Sequence, residues 1–120
     1  MLRVVGGAGD PATRIENRLG EPAANPYLYM ASQILAGLDG IHNSSEPPLA
    51  TEAPYAESAA RLPVTLGEAI AHLGQDKVMC EGFGPHFVRY YQRIKQSEQN
   101  RFDQAEDKIE FQRREYFGRI

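Results

Sequence analysis

The segment that most constrains this chain is an apolar run that begins directly after Asn25 and Pro26. Asn is a preferred N-cap residue, and Pro at the first helical position loses no hydrogen bond that the helix needs. The spacing of the apolar residues predicts a helix over residues 27–38, ended by Gly37 and Gly40. Because a helix that is apolar on most sides is stable only when it is covered, we expect this helix to be buried.

An alternating charge pattern precedes this helix. A β-prone run over residues 2–5 is stopped by glycines and a proline, and residues 12–19 then alternate between charged and uncharged side chains. In an extended strand, successive side chains point to opposite faces, so Arg14, Glu16 and Arg18 would share one face. The pattern predicts an N-terminal β-hairpin with one charged face.

The rest of the chain is predicted to be mostly helical. Residues 41–63 contain four prolines and read as an irregular connection. Thr65 and Glu68 have the spacing of a capping box, which predicts a short helix that ends at about Leu73. After a Gly-Phe-Gly-Pro break, a long amphipathic helix is expected from about His86. The predicted fold class is therefore α+β, a short β-hairpin followed mostly by helices.

Composition excludes several classes of protein. The 42% hydrophobic and 24% charged residues are ordinary for a globular protein, and the net charge of -3 gives no electrostatic footprint for nucleic acid or for an anionic membrane. No apolar run approaches the roughly 20 residues that a membrane-spanning helix needs. The single cysteine, Cys80, excludes an internal disulfide and is predicted to be a buried, inert thiol. A cytoplasmic protein is the expectation.

The charged row has a plausible chemistry. Strand residues two apart lie roughly 6 to 7 Å apart, so Arg14, Glu16 and Arg18 would present two guanidinium groups around one carboxylate. Guanidinium groups bind phosphate or carboxylate oxygens in pairs, and carboxylate oxygens suit Mg²⁺ or Mn²⁺. On periodicity alone, a solvated outer strand face with cross-strand ion pairs is favoured over a phosphate site by roughly two to one.

Several short sequence motifs at fixed spacings shift the preference toward a phosphate site. The chain reads RIENR at 14–18, PAANPYL at 22–28 and AGLDGI at 36–41. This combination resembles the glutamine synthetase family, and looser matches at the Thr65 helix, at FVRYY over 87–91 and at the terminal aromatic words extend the resemblance over nearly the whole chain. The resemblance implies that residues 1–120 form the C-terminal part of the catalytic domain, with the upstream catalytic part and the N-terminal domain lying outside this segment. Asn17 and the LGEP sequence at 19–22 depart from the family pattern and indicate a divergent subfamily.

The resemblance also implies roles for the charged row. Glu16 would be a ligand of the Mg²⁺ or Mn²⁺ ion that accompanies the ATP phosphates, and Arg14 would contact nucleotide phosphate. Arg18 would act as a catalytic and substrate-binding residue that contacts glutamate or its transferred phosphoryl group. The implied reaction is ATP-dependent formation of glutamine from glutamate and ammonia through γ-glutamyl phosphate, with a larger amine, such as a polyamine, as the alternative acceptor.

The remaining expectations concern assembly. The resemblance implies a homo-oligomer of stacked rings, in which Tyr116, Phe117 and Ile120 would anchor the chain end, and it implies that the isolated segment is inactive without the upstream part. A different class of function, a non-catalytic assembly or interaction module, stays open. An apolar helix that has lost its neighbours would also make the segment self-associate. Tyr55 reads as an ordinary loop tyrosine, and the three histidines are predicted to be surface or packing residues, namely His42, His72 and His86.

Overall fold

The computed structural model describes residues 2–50 and 61–118. This part of the chain forms a two-stranded sheet and five helices: β1 (Leu2–Val5), β2 (Arg14–Asn17), α1 (Pro26–His42), α2 (Leu66–Gln75), α3 (Lys77–Phe83), α4 (Pro85–Gln104) and α5 (Lys108–Tyr116). A hairpin followed by helices confirms the predicted α+β class in its coarse form. Tyr55 and Ile120 lie outside the described residues.

The hairpin is held by its turn as well as by its strands. β1 and β2 pair antiparallel, with Val5 opposite Arg14. In the turn, the Thr13 hydroxyl donates to the Gly7 carbonyl at 2.8 Å and accepts from the Gly7 amide at 3.1 Å. Gly6 has a φ of +101°, and a Cβ at this position would lie 2.6 Å from Thr13 Oγ1. Glycine is therefore required by both the backbone conformation and the close approach.

Two details of the hairpin differ from the prediction. β2 ends at Asn17 instead of extending over residues 12–19, so Arg18 lies one residue beyond the strand. Residues 12–13 belong to the turn, because the Ala12 amide donates to Asp10 Oδ1 at 2.8 Å and the Thr13 amide to the Asp10 carbonyl at 3.0 Å. Turn hydrogen bonds of this kind compete with the strand ladder for the same backbone donors.

The start of α1 is as predicted, but its end is not. Asn25 Oδ1 accepts hydrogen bonds from the backbone amides of Tyr27 and Leu28 at 3.0 and 3.1 Å, which caps the helix. The predicted ending at Gly37 and Gly40 is wrong, since the helix continues to His42. A glycine in a helix interior costs only about 1 kcal/mol relative to alanine, too little to end a helix with good helix formers on either side.

The expectation that this helix is buried is also wrong for the described residues. One side of α1 is half-buried, and it carries Leu28, Ala31 and Leu35. The opposite side is exposed, with Tyr27, Met30, Ile34, Leu38 and Ile41 between 53% and 78% accessible. Periodicity indicates that a helix is apolar on two sides, but it does not say whether both sides have a neighbour within the same segment.

The helices α2, α3 and α4 pack together beside α1. The predicted capping box is confirmed in part: the Glu68 amide donates to Thr65 Oγ1 at 3.1 Å, and Glu68 Oε2 accepts from the Val64 amide at 2.9 Å, one residue before the N-cap. Val88 on α4 is 2% exposed and is the one buried hydrophobic side chain of the described residues. The core is therefore small.

A glycine and an aromatic column position these helices. A Cβ on Gly82 of α3 would lie 2.5 Å from Leu35 Cδ2 of α1, so glycine allows the two helices to approach closely. The rings of Phe83, Phe87 and Tyr91 follow one another along α3 and α4, with centroid distances of 5.7 and 5.9 Å. Such distances are typical of aromatic pairs in protein cores.

The predicted long C-terminal helix is divided in two. α4 ends at Gln104, and Asp107 then caps α5 by accepting from the Glu110 amide at 2.9 Å. Lys108 Nζ donates to the carbonyls of Phe102 and Asp103 at 2.6 and 2.9 Å, which adds a cationic donor at the C-terminal end of α4. A similar aspartate cap at Asp76 begins α3, a helix that was not predicted. Over the described ranges, no helix has the length and apolar character needed to cross a membrane.

Candidate phosphate and metal site on the β-hairpin

The pairing register places two residues of the predicted row, Arg14 and Glu16, on one face of the hairpin. Arg14 and Glu16 are two residues apart within β2, so their side chains leave the same face of the strand. Arg18 follows the strand and contacts Glu16 directly, with 3.0 Å between Arg18 Nε and Glu16 Oε2. Both side chains stay accessible, at 44% for Arg18 and 40% for Glu16. The ion pair is therefore open to a ligand.

Arg14 does not join this ion pair. Its Nη1 donates to the Ala12 carbonyl at 3.2 Å, so its guanidinium turns toward the hairpin turn. The structure thus brings together two of the three predicted residues, Glu16 and Arg18, and places the third on the same face with its charge directed elsewhere. Because a long, exposed arginine side chain changes rotamer at low cost, Arg14 can still turn toward a phosphate group on this face.

A further arginine on this face was not predicted. Arg3 of β1 is the direct cross-strand partner of Glu16, and its side chain is exposed. Opposite residues on one face of an antiparallel pair have their Cβ atoms about 5 Å apart, which is within reach of two long charged side chains. The register of the hairpin determines this position: a turn that pairs Val5 with Arg14 also pairs Arg3 with Glu16.

Glu16 alone fits part of a metal site. Its Oε2 is engaged by Arg18, and its Oε1 accepts no hydrogen bond from the residues that the structure describes. Within the same residues, no group of three or more His, Cys, Asp or Glu side chains could hold a metal ion. Mg²⁺ commonly takes one or two carboxylates together with substrate phosphate oxygens and water. The Glu16 carboxylate could therefore supply one ligand to such an ion.

The three histidines lie at the surface, as predicted, whereas Cys80 is less buried than predicted. His42, His72 and His86 are exposed, and His86 Nδ1 lies 3.0 Å from Arg89 Nη2. The Cys80 thiol is partly buried and donates to the Leu73 carbonyl at 3.4 Å. In these contacts the Cys80 thiol pairs with a backbone carbonyl and His86 with an arginine, so neither brings a nucleophile and a base together.

The C-terminal aromatics separate into one engaged residue and one free surface residue. The Tyr116 hydroxyl donates to Glu98 Oε1, and Glu98, the polar residue inside the apolar stripe, is only 5% exposed. Lys95 Nζ lies 2.8 Å from the other Glu98 oxygen. Phe117, in contrast, is 74% exposed. Of the predicted anchor residues, Tyr116 is therefore bound within its own chain and Phe117 remains available to a partner.

Two side chains between α4 and α5, Tyr116 and Arg101, have raised pKa values. Burial, and then the hydrogen bond to Glu98, raise the pKa of the Tyr116 hydroxyl well above its ordinary value of 10.0. The Arg101 guanidinium makes two hydrogen bonds to Glu115, at 2.8 and 2.9 Å, and these raise the pKa of Arg101. Both shifts favour the protonation states that hold α5 against α4.

The hairpin exposes the paired guanidinium and carboxylate groups of Arg18 and Glu16, and a capped apolar helix follows it within an α+β fold. A family model described as the glutamine synthetase catalytic domain matches residues 1–114. The chain belongs to the glutamine synthetase family, which confirms the predicted resemblance.

Individual relatives give the same family with different names. The chain is similar to a γ-glutamylanilide synthase of Acinetobacter sp., with 49% identity over 88% of this chain and 21% of that protein. It is similar to human lengsin, with 36% identity over 91% of this chain and 22% of lengsin, and to a glutamine synthetase of Vibrio alginolyticus, with 36% identity over 84% and 24%. The chain thus spans between a fifth and a quarter of the length of these relatives. No solved structure matches the chain significantly.

Proposed function

We propose that this chain supplies the phosphate-facing hairpin of an ATP-dependent ligase that converts the γ-carboxylate of glutamate into an amide. The observation that carries the proposal is the exposed Glu16–Arg18 ion pair, with Arg14 on the same face, inside a segment that the family model covers from residue 1 to 114. A phosphoryl group in transfer carries negative charge that must be stabilised, and guanidinium groups are suited to this role.

The proposed reaction has two steps, and each residue of the row has a role in it. An oxygen of the glutamate γ-carboxylate attacks the γ-phosphorus of ATP, ADP leaves, and γ-glutamyl phosphate forms. The nitrogen of the amine then attacks the acyl carbon, phosphate leaves, and the amine loses a proton. Arg14 binds nucleotide phosphate, Arg18 binds glutamate and then the transferred phosphoryl group, and Glu16 holds Arg18 in place while its second oxygen, Oε1, contributes to a divalent-metal site. A bound Mg²⁺ or Mn²⁺ ion would neutralise phosphate charge there.

The acceptor is ammonia or a larger amine. Ammonia is the acceptor that the glutamine synthetase relatives imply. The 49% identity to a γ-glutamylanilide synthase is a specific reason to include an aromatic or other larger amine as the second candidate. The two are distinguished by assaying a complete enzyme that contains this segment with ammonia and with aniline under the same conditions.

The proposed phosphate site is tested on the 120-residue chain by NMR titration with ATP and Mg²⁺. We expect chemical-shift changes centred on Arg14, Glu16 and Arg18, and a weaker response in Arg18→Gln. Arg93→Gln is the matched control, because Arg93 is an exposed arginine on α4, outside the hairpin. A folded chain in which these three residues do not respond would overturn the proposal and favour a non-catalytic assembly module.

Activity is tested separately. The proposal places the remaining ligands and the glutamate site in an upstream part of the same enzyme, within a homo-oligomer. We therefore expect the isolated chain to release no phosphate from ATP in the presence of glutamate and ammonia. Turnover by the isolated chain would contradict this division of the site, and the DNA upstream of the Met1 codon would reveal whether an in-frame segment carries the missing ligands.

A further inference from the structure

Asn17 lies between the two residues of the ion pair but on the other face of the hairpin. In β2 it follows Glu16, and its cross-strand partner is Leu2, so its side chain leaves the face opposite Glu16. Asn17 does not line the phosphate-facing surface. The role of its amide must therefore be found in contacts other than those to a ligand on that surface.

The Asn17 side chain makes two hydrogen bonds, and each connects a different part of the chain. Its Oδ1 accepts from the Leu19 backbone amide at 2.9 Å, which closes a turn around Arg18. Its Nδ2 donates to Gln33 Oε1 on α1 at 2.6 Å. One amide thus fixes the backbone at Arg18 and ties the end of β2 to the helix.

Other contacts that could orient the hairpin are weak. The apolar residues that share a face with Asn17 are Leu2, Val4 and Ile15, and all three are 63% or more exposed. They pack little against α1 in the described residues. Beyond the turn, Gly20 lies close to the Tyr29 hydroxyl, since a Cβ on Gly20 would be 3.3 Å from that oxygen. Without a covering apolar layer, the direction of the hairpin depends mainly on polar contacts.

We propose that Asn17 is a positioning residue: its paired hydrogen bonds to Leu19 and Gln33 set the direction in which Arg18 faces its phosphorylated ligand. The proposal rests on the proposed function of Arg18. It adds that two hydrogen bonds of Asn17 orient the Arg18 side chain. An apolar residue at position 17 could make neither hydrogen bond, so it would remove this polar link between β2 and α1.

The experiment uses the isotope-labelled 120-residue chain and its variants Asn17→Ala, Gln33→Ala and Asn17→Asp. Residual dipolar couplings report the orientation of β1 and β2 relative to α1, and titration with ATP and Mg²⁺ reports binding at Arg14 and Arg18. Asn100→Ala is the matched control, since Asn100 is an exposed helical residue that accepts one side-chain hydrogen bond from Gln96.

In the parent chain the hairpin and α1 should fit one common alignment. Asn17→Ala and Gln33→Ala should reduce the hairpin couplings by about twofold through added motion. They should weaken the Arg18 response to ATP by about threefold, as expected for one lost hydrogen bond, while the Arg14 response is retained. Asn17→Asp should behave as the parent, because one carboxylate oxygen can accept from Leu19 and the other from the Gln33 amide group.

The outcomes separate this inference from the proposed function. Unchanged couplings in both alanine variants would overturn the positioning role, whatever the ligand does. Reduced couplings with an unchanged Arg18 response would also overturn it, because Asn17 would then act on the fold alone. If the parent chain itself does not respond to ATP at any of the three row residues, the proposed function fails and the role of Asn17 in it fails too.

Discussion

The Tyr116 hydroxyl of α5 donates a hydrogen bond to the nearly buried carboxylate of Glu98 on α4. Lys95 binds the second carboxylate oxygen, so Glu98 is satisfied from two sides. Tyr116→Phe removes one donor and leaves a buried carboxylate with a single partner. We expect the free energy of unfolding to fall by about 1 to 3 kcal/mol, measured by urea denaturation. Tyr90→Phe, at a tyrosine that is 67% exposed on the same helix as Glu98, is the control and should change it little.

The raised pKa of Tyr116 gives a pH dependence of stability with a definite sign. Burial, followed by the Glu98 hydrogen bond, raises this pKa above the ordinary value of 10.0, so the folded chain holds its proton more tightly than the unfolded chain does. Stability from this group is complete below pH 10.0 and declines as the pH rises above it. The loss of unfolding free energy above that pH should be smaller in Tyr116→Phe than in the parent, and equal losses would contradict the coupling.

The cap of α2 provides a direct measure of local helix stability. Thr65→Ala removes the hydroxyl that accepts from the Glu68 amide and should lower the free energy of unfolding by about 1 kcal/mol. Ser97→Ala, at an exposed position inside α4, should be neutral or slightly stabilising, because alanine is the better helix former. Circular dichroism of thermal unfolding distinguishes the two. A Thr65→Ala variant as stable as Ser97→Ala would exclude the capping role.

The close approach of Gly82 and Leu35 predicts a non-additive pair of substitutions. Gly82→Ala places a methyl group against Leu35 and should destabilise the chain by about 1 to 3 kcal/mol. In a Leu35→Ala background the same substitution should cost much less, since the obstructing side chain is gone. A double-mutant cycle measures the difference, and a coupling energy near zero would show that α1 and α3 do not pack as described.

The exposed side of α1 predicts self-association of the 120-residue chain. Its five large apolar side chains are more than half accessible, an arrangement that favours burial against a second copy. Sedimentation velocity at increasing concentration should detect dimers or larger species. Ile34→Asp should shift the equilibrium toward monomer, whereas Ile109→Asp, an equally exposed isoleucine on α5, should not. A monomer at all concentrations would count against this face as a contact surface.

Local signals in the sequence predicted local structure well. The Asn25 and Thr65 caps, the hairpin, and the shared face of Arg14 and Glu16 were accessible because each depends on residues within a few positions of one another. Arg18, in contrast, lies beyond the strand. The caps at Asp76 and Asp107 are equally local signals, and they mark the start of α3 and the division between α4 and α5.

Relationships between distant residues were not predictable in the same way. The partner of Glu98 is Tyr116, and the partner of Arg101 is Glu115, and neither pairing follows from helical periodicity in one helix. The exposure of α1 was missed for the same reason, because a pattern of apolar residues specifies what needs a neighbour and not where that neighbour is. The cross-strand position of Arg3 required the register, which the turn sets.

The hairpin pairs residues that are at most fifteen positions apart along the chain, from Leu2 with Asn17 to Val5 with Arg14. Contacts of such short range form on a scale of about microseconds. The distance between the carboxylate and its guanidinium partner is therefore encoded locally and should persist even when the helices are perturbed. The orientation of the pair relative to α1 depends instead on a contact between separate elements, the hydrogen bond from Asn17 to Gln33.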